Sequence, residues 1–122
     1  HTPKLLGTPS EGGSEVFEVK YFNRKAYLAQ SPQLYKQMCI AGDFRGVFEV
    51  GPVFRAENSD THRHLTEFVG LDIEMEFKQH YHEVLAFIWK TLTSIFKELE
   101  TKYAEELRVI NEQYPFEPIQ YP

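Results

Sequence analysis

Apolar and polar residues alternate from 15 to 22. Phe17, Val19 and Tyr21 fall on one side, and Val16, Glu18 and Lys20 on the other. A period of two predicts a half-buried strand. A second strand is expected over residues 25–29, across a two-residue turn at Asn23-Arg24. Ser31-Pro32 predicts a helix start, because a hydroxyl caps well and proline lacks only an N–H that the first turn does not use. That helix is expected to end near Ala41, with Gly42 as its stop. Two longer strands, 46–57 and 64–77, flank a polar loop over 58–63. Ile88, Leu92, Ile95, Leu99 and Tyr103 recur at helical spacing. They predict one amphipathic helix of roughly 25–30 residues starting near His82. The Gly- and Pro-bearing opening, 1–14, reads as loop, and the tail, 114–122, as extended. The order strand, strand, helix, strand, strand, helix predicts an α+β fold, an antiparallel sheet with flanking helices.

The two long strands carry the informative pattern. In the first, Phe48, Val50 and Phe54 share a face opposite Glu49, Gly51, Val53 and Arg55. In the second, Leu65, Val69, Leu71, Ile73, Met75 and Phe77 oppose His64, Thr66, Phe68, Gly70, Asp72, Glu74 and Glu76. Arg55, His64, Phe68 and Asp72 are therefore expected on one side of a hairpin, with the core on the other. A cation, an imidazole, an aromatic plate and a carboxylate on one face suit a phosphate, a base and an amine. The same pattern also describes a solvated sheet face with one exposed Phe, and periodicity alone leaves both readings open.

Composition narrows the classes. A chain of 122 residues is one domain or part of one. A single cysteine, Cys39, forms no internal disulfide and no Cys-based zinc site, which fits a reducing compartment. No apolar run approaches the roughly 18 residues of a membrane span, and the first residues do not read as a signal peptide. A net charge of −5 excludes a generally nucleic-acid-binding surface, so any phosphate contact is local. His62-x-His64 and His80-x-His82 have ligand-like spacing but are read as ordinary polar residues. The acidic alternation Asp72, Glu74, Glu76 is read as solvated or paired with arginines rather than as a magnesium site. No metal ligand is assigned.

Literal strings carry more. Gly51-Pro52-Val53-Phe54-Arg55-Ala56-Glu57, a polar loop, then Arg63-His64-Leu65-Thr66-Glu67-Phe68 resemble motif 2 of the class II aminoacyl-tRNA synthetases. Ser10-Glu11-Gly12-Gly13-Ser14 and Gln30-Ser31-Pro32-Gln33-Leu34-Tyr35-Lys36-Gln37 are similar to the aspartate-specific members of eukaryotic cytosolic type. His1-Thr2-Pro3 resembles the region just after motif 1, the dimer-interface motif. The resemblance implies a ligase that activates L-aspartate with ATP and transfers it to tRNA-Asp, working in the cytoplasm as a homodimer and not at a membrane. It implies that Arg55 is catalytic, bridging the ATP α-phosphate and the aspartate carboxylate, as its forked guanidinium suits. Ala56, Glu57, Arg63, His64, Leu65 and Phe68 would complete the ATP contacts, with Phe68 under adenine, Arg63 and His64 at the outer phosphates, and Glu57 at the adenine side or the tRNA end. Ser31, Gln33 and Asp72 match the positions that hold the α-ammonium, Lys36 the one that meets the side-chain carboxylate, and Glu11 a loop that closes over the amino acid.

The resemblance also implies what is missing. All seven glycines lie at or before Gly70, so no Gly-rich motif 3 is expected, nor a full motif 1, nor an anticodon-binding domain. The magnesium that accompanies ATP in the intact enzyme is expected to take its ligands from outside these residues. The chain thus reads as part of a catalytic domain, inactive alone. Three other readings remain: an asparaginyl-tRNA synthetase, a non-catalytic interaction module, and a tRNA-independent amide-forming paralogue. The first would share motif 2, but Lys36 in Ser31-Pro32-Gln33-Leu34-Tyr35-Lys36 argues against it.

Overall fold

The computed structural model describes residues 1–12 and 15–120. Gly13 and Ser14 of the expected mobile loop lie outside the described residues, as do the last two residues of the tail. The described chain divides after Glu76 into two units.

The first unit holds two antiparallel sheets and one helix. Strands β1 (Leu5–Leu6), β2 (Glu18–Tyr21) and β3 (Arg24–Leu28) form the order β1-β3-β2. Strand β1 falls where loop was expected. Strand β2 is shorter than the alternation implied and is exposed throughout, as the edge strand of its sheet with β3 as its neighbour. Tyr21 pairs with Arg24, so the turn is Phe22-Asn23, one residue earlier than expected. Phe22 takes φ 50, a positive first central position that sequence rules reserve for Gly.

Helix α1 (Gln33–Ala41) starts one residue later than the Ser31-Pro32 reading, with Pro32 at the cap position. The Ser31 hydroxyl still accepts from the Gln33 N–H at 3.3 Å. Its C-terminal stop also differs in detail. Gly42 has φ −89, and Asp43 supplies the left-handed residue at φ 69. Phe44 N–H donates to the Cys39 carbonyl and Asp43 N–H to that of Ile40, which closes a Schellman motif.

Strands β4 (Gly46–Phe54) and β5 (Glu67–Met75) form a separate two-stranded sheet. Their register pairs Glu49 with Asp72, Gly51 with Gly70 and Val53 with Phe68. The Phe54 N–H donates to the Ala29 carbonyl at 2.9 Å, which ties the end of β3 to the end of β4. That tie delivers α1 to the polar face of the hairpin. The expected core placement is thereby overturned: Val53 and Glu49 are buried with Ala26, Ala29, Gln30, Ser31 and Lys36. The apolar face is bare, with Phe48 73 % and Val69 70 % exposed.

In the second unit the single helix expected from His82 is two, α2 (His82–Lys102) and α3 (Ala104–Gln113), broken at Tyr103. The Thr101 hydroxyl donates to the carbonyls of Lys97 and Glu98, competing with the ladder just before the break. The start of α2 is fixed by Glu83, whose carboxylate accepts the N–H groups of Gln79, His80 and Lys78. Beyond α3, Phe116 and Ile119 line an apolar hollow with Phe96, Leu99 and Leu107. No helix among the described residues is long and apolar enough to cross a membrane.

Candidate functional site

All the candidate residues lie in the first unit. Strand alternation puts Phe68 and Asp72 on one face, with Arg55 one residue past β4 beside them, as the sequence reading expected. Helix α1 covers this face, where the core was expected on the other, and His64 lies in the loop before β5. At one end, Arg55, Glu57, Arg63, His64, Leu65 and Phe68 line a hollow of about 360 Å³. The Arg55 guanidinium carbon stands 5.7 Å from the centre of the Phe68 ring, a cation–π distance. Its Nε is buried without a hydrogen-bond partner. Neither Arg55 nor Arg63 has an ion-pair partner among the described residues. A buried, unsatisfied guanidinium N–H is costly, and an anionic ligand would satisfy it. The His64 Nδ1 lies 2.5 Å from the Thr61 hydroxyl, and its Nε2 is 3.8 Å from the Glu57 carboxylate, beyond hydrogen-bond reach. Ala56 joins this end through its backbone, donating to the Glu15 carbonyl at 3.3 Å.

About four residues along β5, or ~13 Å at strand rise, the other end is built on α1. Lys36 is 6 % exposed, and its Nζ lies 2.6 Å from Asp72 Oδ1 and 3.5 Å from Glu74 Oε2. Gln33, one turn back on the same helix face, donates from Nε2 to Glu74 at 3.4 Å. Lys36 and Asp72, assigned by resemblance to opposite ends of an amino acid, are thus paired with each other in the free chain. Between the two ends the Gly51–Gly70 pair removes side chains from the sheet surface. A Cβ at Gly51 would meet Glu49 Oε1 at 3.1 Å, whereas one at Gly70 would find only ordinary contacts with Val53 and Asp72.

The structure adds residues to which the sequence reading gave no role at the site. Gln30 is fully buried and stitches the loop that carries Glu11. Its side-chain oxygen accepts from the Glu11 N–H at 3.1 Å, and its own N–H donates to the Ser10 hydroxyl at 3.0 Å. The pattern offered no signal for this, since a lone Gln after a strand looks like surface. Glu49 is buried against Lys4. Burial pushes its carboxyl up, and hydrogen bonds from Lys4 and Thr2 more than reverse this, holding it below the ordinary value. Glu74 is the third, and its period-two spacing from Asp72 was a signal that it shares that residue's surroundings. Among the described residues no cluster of three or more His, Cys, Asp or Glu could hold a metal ion. Asp72 and Glu74 are paired with Lys36, Glu49 with Lys4 and Glu76 with Arg45.

Comparison with known proteins follows the same lines. The family model described as "tRNA synthetases class II (D, K and N)" matches residues 1–122. The chain belongs to that family. This class II chain is 63 % identical over 121 residues to the protein named cytoplasmic aspartate–tRNA ligase 1 of Dictyostelium discoideum, covering 99 % of the chain and 21 % of the relative. It superposes on a crystal structure of a putative aspartyl-tRNA synthetase from Leishmania major with a TM-score of 0.86 and 56 % identity, over 98 % of the chain and 22 % of that protein. It is also similar to an asparaginyl-tRNA synthetase from Pyrococcus horikoshii, solved with asparaginyl-adenylate, with a TM-score of 0.74 and 36 % identity over 86 % of the chain and 24 % of that protein. The class II chain thus spans less than a quarter of each of these relatives.

Proposed function

We propose that these residues form the part of an aspartate–tRNA ligase that binds ATP and L-aspartate during adenylate formation. They act within a longer chain that supplies the rest of the catalytic domain, the tRNA-Asp contacts and a homodimer interface, in the cytoplasm. What supports this reading is one face of one hairpin. A guanidinium beside an aromatic plate stands at one end, a lysine–carboxylate pair at the other, and a glycine pair lies between. A nucleotide joined to an amino acid through one phosphate spans that separation.

In this reading adenine stacks on Phe68, and Arg63 and His64 meet the outer phosphates. Arg55 offers paired donors to the α-phosphate and to the aspartate α-carboxylate that attacks it. Because the guanidinium is already fixed over Phe68 and desolvated at Nε, it stabilises the charge that develops on phosphorus without reorganising. The Glu57 side chain serves the adenine side, with the backbone of Ala56 and Leu65 bounding the hollow. Lys36 takes the side-chain carboxylate and Ser31, Gln33 and Asp72 the α-ammonium, while the Glu11 loop, anchored by Gln30, covers the amino acid. No step is assigned to magnesium. The test is aspartate-dependent ATP–pyrophosphate exchange in the full-length protein carrying these residues. Arg55→Ala should abolish exchange, and Arg55→Lys should recover little, since lysine lacks the fork. A lysine variant near wild-type rate would overturn the role given to Arg55, and exchange driven by asparagine in place of aspartate would overturn the substrate.

A further inference from the structure

Resting on the ligase reading above, we propose that Glu74 is a positioning residue for the amino-acid pocket. It sets the orientation of the Gln33 amide and keeps Lys36 in place while Asp72 changes partner. A carboxylate has no proton to donate, so only the NH2 end of the Gln33 amide can face Glu74 Oε2, 3.4 Å away. The Gln33 carbonyl oxygen is thereby left as the acceptor available to an α-ammonium. Without Glu74 either end of the amide can turn toward the ligand, and the NH2 end repels an ammonium.

The same Glu74 oxygen lies 3.5 Å from Lys36 Nζ, which is also held by Asp72 at 2.6 Å. An incoming aspartate carries both charges of this resident pair. Its side-chain carboxylate takes the place of Asp72 on Lys36, and Asp72 turns to its α-ammonium. During that exchange Glu74 keeps a carboxylate beside a lysine that is 6 % exposed, so its position is never left to the ligand alone. A ligand with only one of the two charges replaces only half of the pair: without the side-chain carboxylate Lys36 keeps Glu74 alone, and without the ammonium Asp72 is left unmatched. Selection therefore acts on both ends of aspartate at once.

Glu74→Gln in the full-length protein isolates this role, because the volume is kept while the charge and the one-way acceptor are lost. In ATP–pyrophosphate exchange the aspartate KM should rise about tenfold, with kcat and the ATP KM within twofold. In a Gln33→Ala background the same substitution should raise the aspartate KM only about threefold, since part of its effect runs through Gln33. An unchanged aspartate KM would overturn the proposal. So would aspartate and ATP KM values that rise together, the mark of a residue that merely holds the fold. A wild-type protein that activates aspartate beside an unaffected variant would refute only the role of Glu74. A wild-type protein without aspartate-dependent exchange would remove the ligase reading and this proposal with it.

Discussion

Replacing Lys36 by Met removes a charge that the fold has enclosed, and its cost follows from the geometry. At an effective dielectric of about 20, contacts at 2.6 and 3.5 Å are each gross attractions of about 5–6 kcal/mol. Desolvation of several kcal/mol per ion offsets most of that, so the intact group contributes little net stability. Truncation is different, because it leaves Asp72 and Glu74 facing each other with no cation. Breaking a fully buried pair costs about 3–5 kcal/mol. Here the carboxylates are 31 % and 29 % exposed and can partly rehydrate, which lowers the expectation to about 2–3 kcal/mol. In urea unfolding of the 122-residue chain the midpoint should fall by about 1 M or more, given the slopes usual for small domains. Adding Asp72→Asn and Glu74→Gln to Lys36→Met should recover most of the loss. A Lys36→Met cost below about 0.5 kcal/mol would show that the ion pairs are not closed in solution. A triple variant no better than the single would locate the loss in packing of the lysine stem.

Three further outcomes are expected. Gly70→Ala should fold as stably as wild type, since the added Cβ meets only ordinary contacts, yet lower adenylate formation in the full-length protein at least tenfold by filling the floor between the two ends; unaltered exchange would place the ligand elsewhere. Asp43→Gly should stabilise the chain by about 0.5–1 kcal/mol by relieving the left-handed residue at φ 69, and a lower melting temperature would refute this. Backbone donors from Gln79, His80 and Lys78 hold the Glu83 carboxyl below its ordinary value of 4.5, so its contribution is complete at neutral pH and is lost as pH falls through the lowered value. The stability gap between wild type and Glu83→Gln should therefore be widest near pH 7 and narrow as pH falls through the lowered value; a gap independent of pH would refute the capping role.

Alternation in β4 and β5 was enough to place Arg55, Phe68 and Asp72 on one face, because side-chain direction in a strand is local geometry. Which face would be buried was not legible. The apolar row of Phe48, Val50, Val69 and Leu71 is the natural core by hydrophobicity. Here burial follows from α1, which is nonlocal and lies over the polar row. The helix face shared by Gln33 and Lys36 was legible from their spacing, but their partners on β5 required the packing of α1 on the hairpin. Phe22 and Asp43 took positive φ where the rules point to neighbouring Asn and Gly residues, so turn and stop each shifted by one. The break at Tyr103 has neither Pro nor Gly, and its only sequence trace is the β-branched Thr101 that back-bonds before it. On the functional side, the motif strings pointed directly to the residues proposed to hold ATP. The contacts of Gln30, in a motif string, and of Glu74, in the acidic alternation, emerged only once the loop and the hairpin were assembled.

A structure of the full-length protein with a non-hydrolysable aspartyl-adenylate analogue tests the assignment of this face most directly. It should show adenine on Phe68, the phosphate mimic on Arg55 and the side-chain carboxylate on Lys36. Asp72 should have turned from Lys36 to the α-ammonium, with Glu74 still beside Lys36 and Gln33. An analogue bound with the Lys36–Asp72 pair still closed would contradict it.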